Sequence, residues 1–209
     1  MGDETFDKNR VISFSDAVFS IAMTLLVLEV VIPSYKEIKT GDTLLILKNR
    51  IPSFIGLVVS FLVTAIYWIA HMRILKYAST INSKILWYNI LLLFFIVLLP
   101  FSTAFYVKGF NYEGPFAFYC FNLAAIGFFN FILNVYIPKK ENGKTGLTPM
   151  LTKYFQLRAF NAFIIWTIAG VLAFYLPMVA RFLFLLLFLI EVIMKKIFKK
   201  KLLKEAIIE

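Results

Sequence analysis

The sequence predicts an all-α membrane protein with six transmembrane helices. Hydrophobic residues make up 61% of the 209-residue chain, and most of them lie in six long uninterrupted runs. Soluble domains are about 45–50% apolar, so the excess is expected to face lipid. Charged residues are reduced to 16% and lie mainly at the ends of the runs. The mean hydropathy of +0.82 supports the same fold class.

Each run is close to the ~20 residues that a helix needs to cross a bilayer. The predicted spans are residues 11–32, 51–70 (with a start as early as 43 left open), 85–106, 116–137, 155–176 and 178–198. Pro33 should end the first span, Pro138 should close the fourth, and Pro177 should turn the fifth into the sixth. Pro100 lies near the end of the third. A β-barrel would need short alternating strands, and no repeat or linker divides the chain, so residues 1–209 are expected to form one domain.

The distribution of lysine and arginine predicts the orientation. With six spans both termini share a side, and that side carries sixteen cations against six on the other. Cations favour the cytoplasm, so the short N-terminus (residues 1–10) and the basic tail from about residue 195 are expected there. The tail is either a contact with anionic lipid or a solvated helix end. The net charge of +10 is explained in this way, so nucleic acid is not an expected partner.

The first span differs from an ordinary lipid-facing helix. At 100° per residue, one stripe of it contains Ser13, Asp16, Ala17, Ser20 and Thr24. Ile21, Leu25 and Leu28 lie beside this stripe. Small and hydroxyl residues permit close helix packing, so the face could be a packing surface alone. Ionisable groups in a membrane are costly and usually face protein or water. Asp16 and the nearby Arg10 therefore favour the working helix of a channel or transporter.

Polar residues in the second and third spans offer partners for these groups. His71, the only histidine, lies near the end of the second span, three residues after Trp68, and Asn89 lies in the third. We expect a buried polar network of Arg10, Asp16, His71 and Asn89 that holds the first helix in register. A pH-sensing role for His71 is the alternative.

Arg10, Phe14, Ser15 and Asp16 form the pattern RxxxFSD at the start of the first span. This pattern resembles the transmembrane protein 175 family of potassium channels. Trp68, His71, Asn89 and the pair Pro100-Phe101 agree with the family as well. The resemblance therefore extends the expected structural network to Phe14, Ser15 and Trp68. The strong part of the resemblance covers roughly the first half of the chain. A single set of six spans is similar to the prokaryotic form, which assembles as a homotetramer.

The resemblance implies a potassium-preferring cation channel whose pore is lined by the first helices of four subunits. In the family, bulky apolar side chains of that helix form the constriction, which on this sequence are Ile21, Leu25 and Leu28. Such a ring can close a pore by dewetting, and the chain has no TVGYG-like filter. Thr24, one turn from Ile21, is the candidate for selectivity through its hydroxyl.

The implied partners are further copies of the chain, the lipid bilayer and permeant K⁺. No cofactor and no metal beyond K⁺ are expected. The expected location is the plasma membrane of a prokaryotic cell, with both termini cytoplasmic.

A secondary transporter and a proton-permeable cation channel remain alternatives. Transporters usually have broken helices at mid-membrane and internal repeats, which the sequence does not show. An enzyme would need a nucleophile with a base, or a set of metal ligands. One histidine, one cysteine and scattered carboxylates form no such set. Glu191 and Lys195, four residues apart, are expected to form a local ion pair.

Overall fold

The computed structural model describes residues 4–30, 32–142 and 146–208, and these are almost entirely helical. The helices are α1 (Lys8–Leu25), continued by a 3₁₀ turn (Leu26–Glu29), α2 (Tyr35–Thr40), α3 (Thr43–Lys76), α4 (Ser83–Val97), α5 (Leu99–Lys108), α6 (Glu113–Glu141), α7 (Pro149–Leu172), α8 (Pro177–Phe182) and α9 (Phe184–Ile208). Two short strands, β1 (Thr5–Phe6) and β2 (Ile81–Asn82), pair antiparallel with Thr5 opposite Asn82. The side chains of residues 29, 40, 184 and 199–208 lie outside the described part, as does Lys144. Much of the predicted basic tail is therefore described only by its backbone.

Five segments of the described chain are long and apolar enough to cross a membrane. They are Lys8–Leu28, Thr43–Lys76, Ser83–Lys108, Glu113–Glu141 and Pro149–Leu172. They correspond to the first five predicted spans, so the chain is an integral membrane protein built from helices. The predicted sixth span is instead divided into α8 and α9 at Leu183. The apolar start of α9 contains Glu191 and ends where the lysines begin at Lys195. This apolar part is shorter than the ~20 residues that a helix needs to cross a bilayer.

The third span also differs from its prediction, because α4 and α5 are separate helices that meet at Leu98. Pro100 lies in the first turn of α5. A proline has no backbone N–H and its ring clashes with the carbonyl four residues earlier, so helices commonly break there. The two pieces together still reach from Ser83 to Lys108 as one candidate span.

The prediction that Pro138 closes the fourth span was wrong. Helix α6 continues through Pro138 to Glu141 and ends at Asn142, whose φ of 46° places it in the left-handed region. Pro138 cannot donate to the carbonyl of Asn134, which would otherwise stay unpaired. The side-chain amide of Gln156 on α7 donates to that carbonyl at 3.2 Å. This bond from the neighbouring helix replaces the one that the proline removes.

Several other boundaries differ by one or two turns. Helix α1 begins before the predicted start, because the Asp7 side chain caps it by accepting from the Arg10 amide at 2.8 Å. The fifth span is displaced toward the N-terminus, since α7 begins at Pro149 and ends at Leu172. Helix α2 was not predicted, although its signature is present: Ser34 and Glu37 form a capping box. The Ser34 amide and hydroxyl donate to the Glu37 carboxylate, and these bonds lower the pKa of Glu37.

Helix α6 lies at the centre of the bundle and packs along α7 for most of its length. Its fully buried side chains include Leu123, Ile126 and Leu133. The two helices approach so closely that a Cβ on Gly127 would lie 3.0 Å from the backbone nitrogen of Phe163. Helix α1 packs on the other side of the bundle against α3, α4 and α5. The buried face of α1 consists of Val11, Ser15, Phe19 and Ala22, with Leu26 below them.

The bond from Gln156 predicts a specific pattern of stability. Gln156→Leu should lower the free energy of unfolding by about 1–3 kcal/mol, because it leaves the buried Asn134 carbonyl unpaired. In a Pro138→Ala background the same change should cost much less, since the introduced alanine supplies the missing N–H. Thermal unfolding of the four purified proteins in detergent measures this cycle. Equal losses in both backgrounds would contradict the proposed compensation.

Candidate functional site on the first helix

The start of α1 contacts the C-terminal end of α3 and the start of α4, which all lie on the side predicted to be cytoplasmic. Strand β1 immediately precedes α1 and pairs with β2, which immediately precedes α4. The ammonium group of Lys8 donates to the carbonyl of Lys76, in the last turn of α3, at 2.9 Å. An exposed carbonyl at a helix C-terminus is well suited to a lysine partner. These contacts place the polar residues of α1 beside those of α3 and α4.

Ser15, His71 and Asn89 form a hydrogen-bonded cluster that is fully buried between α1, α3 and α4. The Asn89 amide donates to the Ser15 hydroxyl at 3.0 Å, and Nε2 of His71 lies 2.6 Å from the Asn89 carbonyl oxygen. Because that oxygen can only accept, Nε2 of His71 carries the proton in this arrangement. The Ser15 hydroxyl also donates to the carbonyl of Val11 at 2.8 Å. The cluster therefore joins three helices through one serine on α1.

Asp16 is bound separately from this cluster. The indole N–H of Trp68 on α3 donates to the Asp16 carboxylate at 2.8 Å. Both residues are half-buried. The partner of Asp16 is thus a tryptophan of the second span, and among the described residues Asp16 forms no ion pair with a cation. Adjacent residues of α1, Ser15 and Asp16, therefore both hold the helix to its neighbours.

Arg10 and Phe14 do not join the expected network. Both are exposed, and among the described residues no side-chain bond links Arg10 to His71, Asn89 or Asp16. The reason is helical geometry: the bonded residues Ser15 and Asp16 mark the side of α1 that faces the bundle, and residues 10 and 14 lie about 150–170° from the midpoint between them. The structure thus brings Ser15, His71 and Asn89 together, pairs Asp16 with Trp68, and leaves Arg10 and Phe14 on the surface of the single chain.

The exposed face of α1, defined as Ile21, Thr24, Leu25 and Leu28, lies opposite its buried face. Ile21 is 58%, Leu25 40% and Leu28 71% exposed. Leu28 belongs to the 3₁₀ turn and not to α1 itself. The Thr24 hydroxyl donates to the carbonyl of Ile21 at 2.8 Å. Its oxygen therefore keeps lone pairs for another partner, because the hydrogen is already used.

Two polar groupings were missed in the sequence. Ser60, Thr103 and Tyr119 join α3, α5 and α6: Thr103 donates to Ser60 at 2.9 Å, and Ser60 lies 3.1 Å from the Tyr119 hydroxyl. Consecutive hydroxyls after Pro100 were the available signal.

The second missed grouping adds a cation to the predicted ion pair on α9. Lys195 lies 3.3 Å from Glu191 as expected, and Arg158 of α7 also binds Glu191 at 2.8 Å. Within the described residues, no group of three or more His, Cys, Asp or Glu could hold a metal ion.

The sequence is similar to proteins of known class. Residues 10–100 match the family described as endosomal/lysosomal potassium channel TMEM175. A potassium channel of Chamaesiphon minutus is 35% identical over 101 residues, which is 48% of this chain and 50% of the relative. One of Streptomyces collinus is 36% identical over 98 residues, 47% of each protein. The match therefore spans about half the length of these two relatives. A potassium channel of a Chryseobacterium strain is 28% identical over 195 residues, 93% of this chain and 97% of the relative.

Solved structures show the same fold. The crystal structure of a lysosomal potassium-selective channel TMEM175 homologue from Chamaesiphon minutus matches with a TM-score of 0.77 at 22% identity, over 90% of this chain and 97% of that one. A variant of the potassium channel MtTMEM175 bound to a nanobody fusion matches with a TM-score of 0.64 at 18% identity, over 91% and 93%. The family and these relatives are ion channels and not enzymes. Residues 10–100 are thus similar to the TMEM175 family, and about nine-tenths of the chain shares the fold of these two TMEM175 channel structures.

Proposed function

We propose that this chain is a potassium-preferring cation channel that assembles as a homotetramer around a pore lined by α1. The observation that carries the proposal is the two-faced character of α1. One face is held by buried packing and hydrogen bonds, while Ile21, Leu25 and Leu28 on the other are exposed. A pore-lining helix must be held by the bundle on one face, while its other face is left unpacked and can line the pore.

The exposed face is poorly suited to lipid, because hydroxyls of Ser13, Ser20 and Thr24 accompany its apolar residues. Polar groups in a membrane helix are expected to face protein or a water-filled path. One chain alone cannot enclose such a path with α1. Closed cyclic symmetry around α1 removes this face from lipid, and four copies agree with the family resemblance.

The constriction in this proposal consists of rings formed by Ile21, Leu25 and Leu28. Rings of apolar side chains close a pore by dewetting, since an ion cannot keep its hydration shell there. Leu28 lies in the 3₁₀ turn, where the backbone is wound more tightly than in α1. Each ring then acts as a steric and dehydration barrier without binding the ion.

Selectivity is assigned to Thr24. Its hydroxyl hydrogen is bound to the Ile21 carbonyl, so the oxygen can face an ion as an acceptor. Four such oxygens could replace part of the water around a cation. The ion that loses water most cheaply would be favoured, which agrees with potassium in the names of the relatives.

The contacts behind α1 are assigned a positioning role. Ser15 with Asn89 and His71, and Asp16 with Trp68, fix the rotation of α1 and therefore which residues meet at the pore axis. Arg10 and Phe14 at the exposed start of α1 are proposed to face a neighbouring subunit. The single domain, the cytoplasmic termini and the plasma-membrane location belong to the same proposal.

A secondary transporter is the second candidate, because the break between α4 and α5 is a discontinuity of the kind that transporters use. Purified protein in liposomes distinguishes the two functions. A channel gives passive current whose reversal potential follows the potassium gradient. Flux that saturates and requires a second solute would favour the transporter. A proton gradient applied in the same assay measures proton permeation.

Widening the constriction should increase ion flow. Ile21→Ala or Ile21→Asn is expected to lower the free-energy barrier for dehydrating the ion at this ring. Basal potassium flux should rise about tenfold for every 1.4 kcal/mol by which that barrier falls. Ile90→Ala, on the partly exposed side of α4, is the matched control and should leave flux unchanged. Reduced or unchanged conductance in Ile21→Asn, with normal assembly, would remove Ile21 from the pore.

Removing the Thr24 hydroxyl should weaken discrimination between ions. Thr24→Ala is expected to lower the potassium-to-sodium permeability ratio by about two- to tenfold, the equivalent of one ordinary hydrogen bond. Thr24→Ser keeps the hydroxyl and should retain the ratio. Reversal potentials under a potassium-versus-sodium gradient measure both variants. An unchanged ratio in Thr24→Ala would contradict the assignment.

Loss of the Asp16 acceptor should weaken assembly. Asp16→Ala leaves the Trp68 indole N–H without its partner, at a cost of about 1–3 kcal/mol per chain. Asp16→Asn keeps an oxygen acceptor and should behave nearly as the unaltered protein. Light scattering of the purified particles is expected to give four copies for Asp16→Asn and fewer for Asp16→Ala. A stable Asp16→Ala tetramer with altered ion preference would show instead that Asp16 acts on ions.

A further inference from the structure

An elongated cavity lies between α3, α6, α7 and α9, away from α1. Its volume is about 330 Å³ and most of its lining is apolar. For comparison, an apolar cavity of roughly 150 Å³ accommodates benzene. The space is therefore large enough for a segment of a hydrocarbon chain. Nothing in the proposed pore accounts for it.

The charged residues that line this cavity converge at one end. Arg73 is near the C-terminal end of α3, Lys195 lies in the middle of α9, and Arg158 lies in the first half of α7. Because α7 runs opposite to α3 and α9, these positions meet at the same level of the bundle. Glu191 is the one carboxylate among the described residues of the lining. It binds Arg158 at 2.8 Å and Lys195 at 3.3 Å, so three cations face a single negative charge.

The opposite end of the cavity is apolar. Val63, Trp166 and Leu187 line it on α3, α7 and α9. Each lies eight to ten residues along its helix from the cation of that helix, which corresponds to about 12–15 Å. The cavity thus has a cationic end and an apolar end, and the two ends lie at different depths along the membrane normal. This is the polarity of a membrane lipid standing in one leaflet.

We propose that the cavity binds an acyl chain of an anionic phospholipid, with the lipid phosphate held by Arg73 and Lys195. Basic pockets between transmembrane helices are suited to anionic headgroups. Arg73 has no ion pair among the described residues, and its guanidinium matches a phosphate in geometry. A zwitterionic lipid would leave the excess positive charge unbalanced, and a free anion would leave the apolar end unused. The proposal concerns binding and does not depend on ion conduction.

Native mass spectrometry of the detergent-purified protein tests this proposal. The probes are phosphatidylglycerol, which is anionic, and phosphatidylcholine, which is zwitterionic. The protein should retain phosphatidylglycerol more strongly. The double change Arg73→Gln with Lys195→Gln should weaken that retention about tenfold or more, since two charge-assisted hydrogen bonds are lost. Lys84→Gln removes an exposed cation of α4 outside the cavity and should have no effect.

A filling variant separates the acyl chain from the headgroup. Ala162→Phe places a ring inside the cavity and should abolish retention of phosphatidylglycerol, and Ala70→Phe fills it from α3 should the first variant not fold. Equal retention of the two lipids, or an equal loss in Lys84→Gln, would overturn the proposal. So would full retention by a folded filling variant, because the headgroup alone would then explain binding.

Discussion

Buried polar groups of a membrane protein must find their partners within the protein, because the hydrocarbon core of a bilayer offers no hydrogen bonds. This constraint explains the contacts on which the bundle depends. Pro138 frees the carbonyl of Asn134, and Gln156 on the next helix satisfies it. Ser15, His71 and Asn89 satisfy one another between three helices. In both places a polar group on one helix determines how its neighbour is placed, which apolar packing alone does less sharply.

For α1 this constraint produces two unlike faces. Its inner face must keep Ser15 beside Asn89 and Asp16 beside Trp68, so rotation about the helix axis would break two sets of bonds at once. The outer face is then directed away from the bundle as a consequence. Ile21, Leu25 and Leu28 are exposed because Ser15 and Asp16, one to three turns earlier, hold the opposite side of α1 against the bundle. The proposed gate is in this sense positioned by residues that it does not contact.

Much of the fold was predictable from the lengths of the apolar runs in the sequence, whereas much of the candidate site was not. Five spans were predictable because a run of apolar residues has few alternatives to a membrane helix. The continuation of α6 through Pro138 was not, since it depends on Gln156, which lies eighteen residues later and on another helix. For Asp16 the sequence left a cation and the polar groups of the second and third spans open as partners, and only the structure selects the indole of Trp68. Arg10 and Phe14 shared a motif with Ser15 and Asp16, but adjacency in sequence does not place residues on one helical face.

Helix α3 connects the two regions with functional proposals. His71 and Trp68 contact α1, whereas Val63, Ile66, Ala70 and Arg73 line the cavity. At 100° per residue these sets occupy different sides of the same helix. A lipid in the cavity would therefore pack against the helix that holds α1 in place. Coupling between two such sites requires an element with two discrete arrangements. A helix pinned by buried hydrogen bonds on one side favours a single arrangement, so an occupant of the cavity would act first on the stability of the bundle and only through that on the pore.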